Sequence, residues 1–121
     1  MDLETLYAIL VGSARHQTQI TYSELSEAYF KRTEDWHEPH GSWDDPLGEL
    51  NHMLHGNGWP PLSAVVVLGE TKQPGGGFWA SCPNIPARPR DELARIATYG
   101  QILAGVHAAK WPERMPTGPR S

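Results

Sequence analysis

Histidines and carboxylates crowd one stretch of the chain, and these residue types can bind a metal ion. Four of the six histidines lie between residues 37 and 55. Imidazole and carboxylate groups together suit zinc or a similar ion. The spacing fits no established ligand motif, because Pro39 interrupts any helical arrangement and no cysteine lies near. Surface or hydrogen-bonded histidines are the competing interpretation. The candidate metal ligands are His37, His40, Asp44 and His52.

Tryptophans flank the same stretch, and tryptophan is enriched in the energetic centres of protein interfaces. Carboxylates dominate this half of the chain: residues 1–60 contain ten Asp and Glu against three Lys and Arg, whereas residues 61–121 contain four against seven. The tryptophans can instead pin the loop to the core. If the tryptophans are exposed instead, they form an anchor surface next to the acidic charge, and that combination favours a basic protein partner. The partner-binding candidates are Trp36, His37, His40, Trp43, Asp44 and Trp59.

Length and composition predict a single domain. The chain has 121 residues, 39% of them hydrophobic, and a formal net charge of −4. Cys82 is the single cysteine, which excludes an internal disulfide and fits a reducing compartment. No apolar run approaches the roughly 20 residues that span a bilayer, and the acidic start lacks the pattern of a signal peptide. We therefore expect a cytoplasmic protein, with no membrane partner and no cofactor.

Hydrophobic periodicity predicts two helices in the first third of the chain. Apolar residues recur at helical spacing over 3–14. Ile20-Thr21 is expected to form a very short strand, and Thr21 to cap a second helix that runs to about Arg32. Glu24, three residues further on, completes a capping box. Residues 33–45 are expected to form a loop.

The remaining elements complete a small α+β domain over residues 1–110. Asp45 is expected to cap a third helix over 46–55, which Gly56-Asn57-Gly58 ends. The runs near 63–69 and 77–81 predict a two-stranded hairpin. Asp91 starts a C-terminal helix, and residues 111–121 are expected to be a flexible tail. The inward positions of that last helix are Leu93, Ile96, Leu103 and Val106, with Arg95 outward. This order of elements is typical of a winged helix.

Four segments resemble the DNA-binding domain of alkylguanine-DNA alkyltransferases. The resemblance covers about residues 3–79. The segments are Thr21-Tyr22-Ser23-Glu24-Leu25, Leu47-Gly48-Glu49-Leu50, Pro61-Leu62-Ser63-Ala64-Val65-Val66 and the glycines Gly75 to Gly77. They look like that family's Thr-Tyr-Gly segment, recognition helix, Pro-Cys-His-Arg-Val-Val block and wing. The resemblance implies a winged-helix fold, with Tyr22 near a flipped nucleotide.

The chain departs from the family where alkyl transfer takes place. Leu62 stands at the position of the nucleophilic cysteine, Ser63 at that of the histidine and Ala64 at that of the arginine. Alkyl transfer needs an activated thiolate, so the sequence predicts no such activity. The alkyltransferase-like relatives that lack the cysteine keep the His-Arg pair, which this chain does not.

The sequence therefore leads to a non-enzymatic binding module on a degenerate alkyltransferase-like winged helix. A protein partner is favoured, in an immunity, inhibitor or accessory role. DNA binding in a repair or defence context is the first alternative, although the presumed recognition helix lacks Lys and Arg. A metal-dependent hydrolase that uses the His37–His55 cluster is the second. The residues assigned to DNA binding are Tyr22, Lys72, Arg88, Arg90 and Arg95.

Overall fold

A computed structural model describes residues 1–82 and 85–116 of the chain. Helices dominate it, and one very small sheet joins two distant segments. The α-helices are α1 (Leu3–Arg15), α2 (Tyr22–Thr33), α3 (Asp44–Gly56), α4 (Gly76–Ser81) and α5 (Glu92–Ala108), and the strands are β1 (Ile20–Thr21) and β2 (Val66–Val67). The predicted α+β class is confirmed at this level. Within these residues, no helix is long and apolar enough to cross a membrane.

The first two helices begin at side-chain caps. The Asp2 carboxylate accepts a hydrogen bond from the backbone N–H of Thr5 at the start of α1. At the start of α2, Thr21 and Glu24 form the reciprocal bonds of the predicted capping box. One face of α1 is buried, including Leu6 and Leu10, which have no exposed surface. Both caps are local, and both helices lie close to their predicted bounds.

The third helix begins two residues earlier than predicted and ends at Gly56, at the predicted glycine stop, just before the left-handed Gly58. Its N-cap is Trp43, with no side-chain cap bond, so the assignment of Asp45 as the cap is wrong. At the other end Gly58 has φ +82°. The N–H of Gly58 donates to the carbonyl of His55 and that of Trp59 to the carbonyl of Leu54. These two bonds form a Schellman motif, which needs a left-handed residue that glycine supplies without steric cost.

A fully buried segment, residues 62–67, lies at the centre of the fold. Leu62–Val65 form a turn of 3-10 helix that contacts α1, α3 and α5, and β2 follows at once. Strand β2 pairs in parallel with β1, in the register Ile20 to Val66 and Thr21 to Val67. The predicted hairpin is therefore wrong: within the 63–69 run only Val66–Val67 forms a strand, and residues 77–81 are helical. The apolar run is buried among α1, α3 and α5, and its strand partner lies far upstream in the chain.

The region predicted to be the second strand of the hairpin is helical. After β2 the chain closes a turn in which the N–H of Leu68 donates to the carbonyl of Gln73, and Lys72 has φ +58°. Helix α4 follows, and its Phe78 side chain is buried. With no neighbouring strand, the 76–81 backbone forms its hydrogen bonds within the segment. The winged-helix fold thus stays a prediction, and the structure has no hairpin in residues 62–82.

The last helix begins beyond the core. Asp91 caps α5 as predicted, accepting from the N–H of Ala94. Leu93 and Ile96, expected to point inward, are 77% and 42% exposed, so that part of the prediction is wrong. The buried contacts of α5 begin at Tyr99, whose hydroxyl donates to the carbonyl of Ala64. Two turns of the helix therefore lie past the edge of the core, and their apolar residues face solvent.

Residues 111–116 cover the first helix. Trp111 is 5% exposed and Met115 8%, and the Tyr7 hydroxyl donates to the carbonyl of Pro112. Arg15 donates to the carbonyl of Trp111. This part of the predicted flexible tail therefore packs against α1 and α5. Residues 117–121 of that predicted tail lie outside the described residues.

Candidate binding surfaces

The aligned positions of the alkyltransferase resemblance meet at one small cavity. Tyr22, Asp44, Ser63 and Gly77 line it, and its volume is about 10 Å³. That is room for about one water molecule and none for a nucleobase. A Cβ added to Gly77 would lie 2.9 Å from Asp44 Oδ1, so a larger residue there would have to displace the Asp44 side chain. Burial raises the pKa of the Tyr22 phenol. The residues at these aligned positions pack against one another and leave no open pocket for a nucleotide.

The cysteine lies in a buried polar cluster beside this cavity. The Asn51 amide donates to Ser63 Oγ at 2.7 Å and to Cys82 Sγ at 3.1 Å, while the Ser63 N–H donates to Asn51 Oδ1. Burial raises the pKa of the Cys82 thiol to about 11. A thiol in that environment stays protonated at neutral pH, and the thiolate is the nucleophilic form. The cluster holds α3 to the central segment and supplies no activated nucleophile.

The three tryptophans of the predicted partner surface lie in different environments. Trp43 is completely buried, and its Nε1 donates to Ser26 Oγ at 2.9 Å. Trp59 is partly buried and stacks on Trp111, with ring centroids 5.1 Å apart. Trp36 is 50% exposed. Trp43 cannot contact a partner, which corrects its assignment, and Trp36 is the only one of the three that is largely open to solvent.

The histidines and Asp44 do not converge as the metal hypothesis requires. His37 packs against the rings of Tyr29 and Trp43. His40 and Asp44 line a shallow pocket of about 180 Å³ together with Tyr22, and His52 does not line it. Among residues 1–82 and 85–116, no group of three or more His, Cys, Asp or Glu side chains could hold a metal ion. The described residues therefore provide no metal centre.

The basic residues assigned to DNA binding are spread along the C-terminal half. Lys72 lies on the exposed turn after β2. Arg88 and Arg95 line a groove of about 210 Å³ in which Glu92 also lies. The Arg95 guanidinium donates to the carbonyls of Pro89 and Arg90, so it braces that loop. Tyr22 does not line this groove; it lines the small packed cavity and the shallow pocket beside His40.

An exposed aromatic pair lies at the end of α2 and in the loop that follows. Phe30 is 42% exposed, and its ring meets that of Trp36 edge to face at 6.2 Å. The indole Nε1 of Trp36 donates to Glu38 Oε1 at 3.0 Å. Glu34 and Asp35 lie between the two rings in sequence and are exposed. We call these five residues, Phe30, Glu34, Asp35, Trp36 and Glu38, the acidic aromatic surface.

A larger cleft lies elsewhere, between the end of α3, the segment Trp59–Pro61 and α5. Its volume is about 470 Å³, within the range of small-ligand sites. Apolar side chains form most of its walls, among them Trp59, Ile85 and Ile102. The sequence gives no signal for this cleft, because its walls come from segments that are far apart in the chain.

Comparison with known proteins finds nothing similar. No family model matches the chain, and neither the curated proteins nor the solved structures contain a significant match. The alkyltransferase resemblance accordingly stays a prediction from the sequence.

Four of the five residues of the acidic aromatic surface, all except Trp36, were not among the residues predicted from the sequence to bind a partner. Phe30 follows the buried stripe of α2 by one position, beyond Tyr29, and that offset is a signal of exposure. Glu34 gave no such signal, because nothing in its neighbours indicates the left-handed backbone that it adopts at φ +64°.

Proposed function

We propose that this protein is a non-enzymatic binding module that engages a basic protein through the acidic aromatic surface. The proposal rests above all on Glu34. This residue is the C-cap of α2 and has a left-handed backbone, and its N–H donates to the carbonyl of Phe30. Glycine is the usual residue at such a position, since a side chain there costs about 1 kcal/mol.

The charge of Glu34 adds a second local cost. The C-terminal end of a helix carries partial negative charge, so a carboxylate there is unfavourable by a few tenths of a kcal/mol. Lys31 and Arg32 in the last turn of α2 offset part of this. None of Glu34, Asp35 and Glu38 forms an ion pair within the part of the chain that the structure describes. Backbone strain of this kind is common at recognition sites, and here it lies four residues after Phe30 and two before Trp36.

The aromatic pair supplies the apolar centre that such an interface needs. Tryptophan side chains are common binding hot spots, and truncation of one typically costs 2 kcal/mol or more, which is about 30-fold in affinity. The surrounding carboxylates would steer a cationic partner and align it. This arrangement supports the basic partner that the sequence analysis favoured.

DNA binding is not proposed, because the charges oppose it. The exposed side chains of α3, the predicted recognition helix, are Asp44, Asp45, Glu49, His52 and His55. Phosphate contacts by Lys and Arg supply most of the affinity of DNA-binding proteins. A helix with three exposed carboxylates would repel the backbone of the duplex.

The test compares protein capture by matched variants. Immobilised wild type, Trp36→Ala, Glu34→Gly and Leu93→Ala are exposed to extract of the source cells, and the captured proteins are quantified by mass spectrometry. Leu93 is the control, because it is a 77% exposed apolar residue outside the acidic aromatic surface. We expect a basic protein whose recovery falls at least 10-fold with Trp36→Ala, falls with Glu34→Gly and added salt, and is unchanged with Leu93→Ala.

Glu34→Gly also separates binding from folding. Because glycine relieves the left-handed strain, we expect this variant to unfold at higher urea concentration than wild type while it binds the partner less tightly. If no captured protein depends on Trp36, or if Glu34→Gly weakens binding only by destabilising the fold, the proposal fails.

A further inference from the structure

The cleft of about 470 Å³ has walls that are held in place before any ligand arrives. Trp59 follows the Schellman motif at the end of α3, where its N–H donates to the carbonyl of Leu54. Trp111 stacks on the Trp59 ring at an interplanar angle of 26°. Pro60, Pro61 and Pro86 add side chains with restricted backbones. Restrained side chains and backbones of this kind reduce the free energy that a ligand loses in ordering the cleft.

The chemistry of the lining is nearly uncharged. None of the residues that line the cleft is Asp, Glu, Lys or Arg, and His55 is the one ionisable group among them. Gln101 and His55 are exposed, and neither side chain has a hydrogen-bond partner within residues 1–82 and 85–116. A charged ligand would lose hydration here without gaining an ion pair. A neutral ligand loses less hydration free energy on entering the cleft, and the side chains of Gln101 and His55 can orient it by hydrogen bonds.

We infer that this cleft binds a neutral, planar heteroaromatic small molecule. One or two fused rings would lie among Trp59, the prolines and Ile102, and a ring nitrogen or carbonyl would pair with the free amide of Gln101. Aromatic rings pack well against indole and proline faces. The site is separate from the acidic aromatic surface, so this inference does not depend on the proposed protein partner.

Two glycines of α5 provide a matched pair of variants. Gly105 lines the cleft and Gly100 does not, and a Cβ at either position would meet no atom within 4 Å. Leucine favours a helix by several tenths of a kcal/mol over glycine, so both Gly105→Leu and Gly100→Leu should fold. Only the side chain of Gly105→Leu would occupy the cleft. Any difference in binding between the two variants therefore reports on this site.

The experiment uses 7-azaindole, a neutral two-ring probe with both a donor and an acceptor. Binding is followed by chemical-shift changes in NMR spectra of the full chain. We expect saturable binding at a Kd of about 1 mM or tighter, as for a fragment of this size, with shifts at the indole N–H of Trp59 and at Ile102. Affinity should fall at least 10-fold in Gly105→Leu, several-fold in Gln101→Ala, and stay within two-fold in Gly100→Leu.

Other results would overturn the inference. The absence of saturable binding, shifts centred away from Trp59, or equal affinity of Gly105→Leu and Gly100→Leu would each show that the cleft does not bind this class of ligand. A capped triproline peptide, tested in parallel, covers the peptide alternative. Gly105-dependent binding of that peptide, without binding of 7-azaindole, would identify the cleft as a peptide groove. Trp36→Ala should bind 7-azaindole as wild type does, whatever the outcome of the partner experiment.

Discussion

Removal of the Trp43 side chain should destabilise the fold far more than removal of Trp36, although the two lie seven residues apart. Trp43 has no exposed surface, and Trp36 is 50% exposed. Truncation of a buried aromatic residue to alanine costs about 3–5 kcal/mol through lost burial and the cavity left behind. Ser26 also loses the indole N–H, but its hydroxyl can turn to a helix carbonyl, which keeps that penalty small.

We therefore expect Trp43→Ala to lower the free energy of unfolding by about 4 kcal/mol. This is a large share of the roughly 5–15 kcal/mol of a typical domain, and it corresponds to a fall in Tm of roughly 15 °C for a chain of this size. Trp36→Ala should change stability by less than about 0.5 kcal/mol. The assay is urea unfolding followed by far-UV circular dichroism, because loss of a tryptophan alters the fluorescence signal itself.

A second comparison isolates the hydrogen bond between Trp43 and Ser26. Trp43→Phe keeps most of the ring and removes the donor, at a cost of about 1–2 kcal/mol. In the Ser26→Ala background the same change should cost about 1 kcal/mol less, because the hydrogen bond between the two side chains is already absent there. Equal effects of Trp43→Ala and Trp36→Ala would refute the reasoning, since the two environments would then not differ.

Two further predictions concern the groups whose pKa burial raises. Burial raises the pKa of the Cys82 thiol from 9.0 to about 11, so at about pH 8 the folded protein contains about 100-fold less thiolate than the urea-unfolded protein. We therefore expect Cys82 to react with Ellman's reagent about 100-fold more slowly in the folded protein. Similar rates in the two states would contradict its burial. Burial likewise raises the pKa values of Tyr7 and Tyr99 from 10.0 to about 12, so the unfolded chain loses these protons first. Stability should be constant up to about pH 8.5 and fall between about pH 9 and 12. Urea unfolding at a series of pH values measures this, and a flat profile would be the contrary result.

Features encoded by neighbouring residues could be predicted from the sequence, and those that depend on distant contacts could not. The capping box of Thr21 and Glu24, the Asp91 cap and the glycine stop of α3 are all local, and all are confirmed. The strand at 66–67 has its partner at 20–21, and no local signal gives that pairing. Because the sequence gives no local signal for this pairing, the apolar run was predicted to be half of a hairpin. A buried strand and a hairpin strand have the same composition.

The candidate site shows the same limit. Trp36, Trp43 and Trp59 have the same residue type and similar Gly- and Pro-rich surroundings, yet only packing decides that the first is exposed, the second buried and the third stacked. The helical spacing of Leu93 and Ile96 was recognised correctly. They are exposed because the buried contacts of α5 begin only at Tyr99, and nothing in the sequence of α5 indicates where those contacts begin.

The contact of residues 111–116 with α1 has a consequence for the order of folding. Tyr7 and Pro112 are 105 residues apart, and Met115 reaches Glu4 across 111. Loops this long close at a high entropic cost, so these bonds should form after α1, α2 and the central segment have met. Until then one side of α1 is uncovered. During synthesis, that apolar side stays uncovered until residues 111–116 have been made, and in that interval it is open to chaperones or to misassociation.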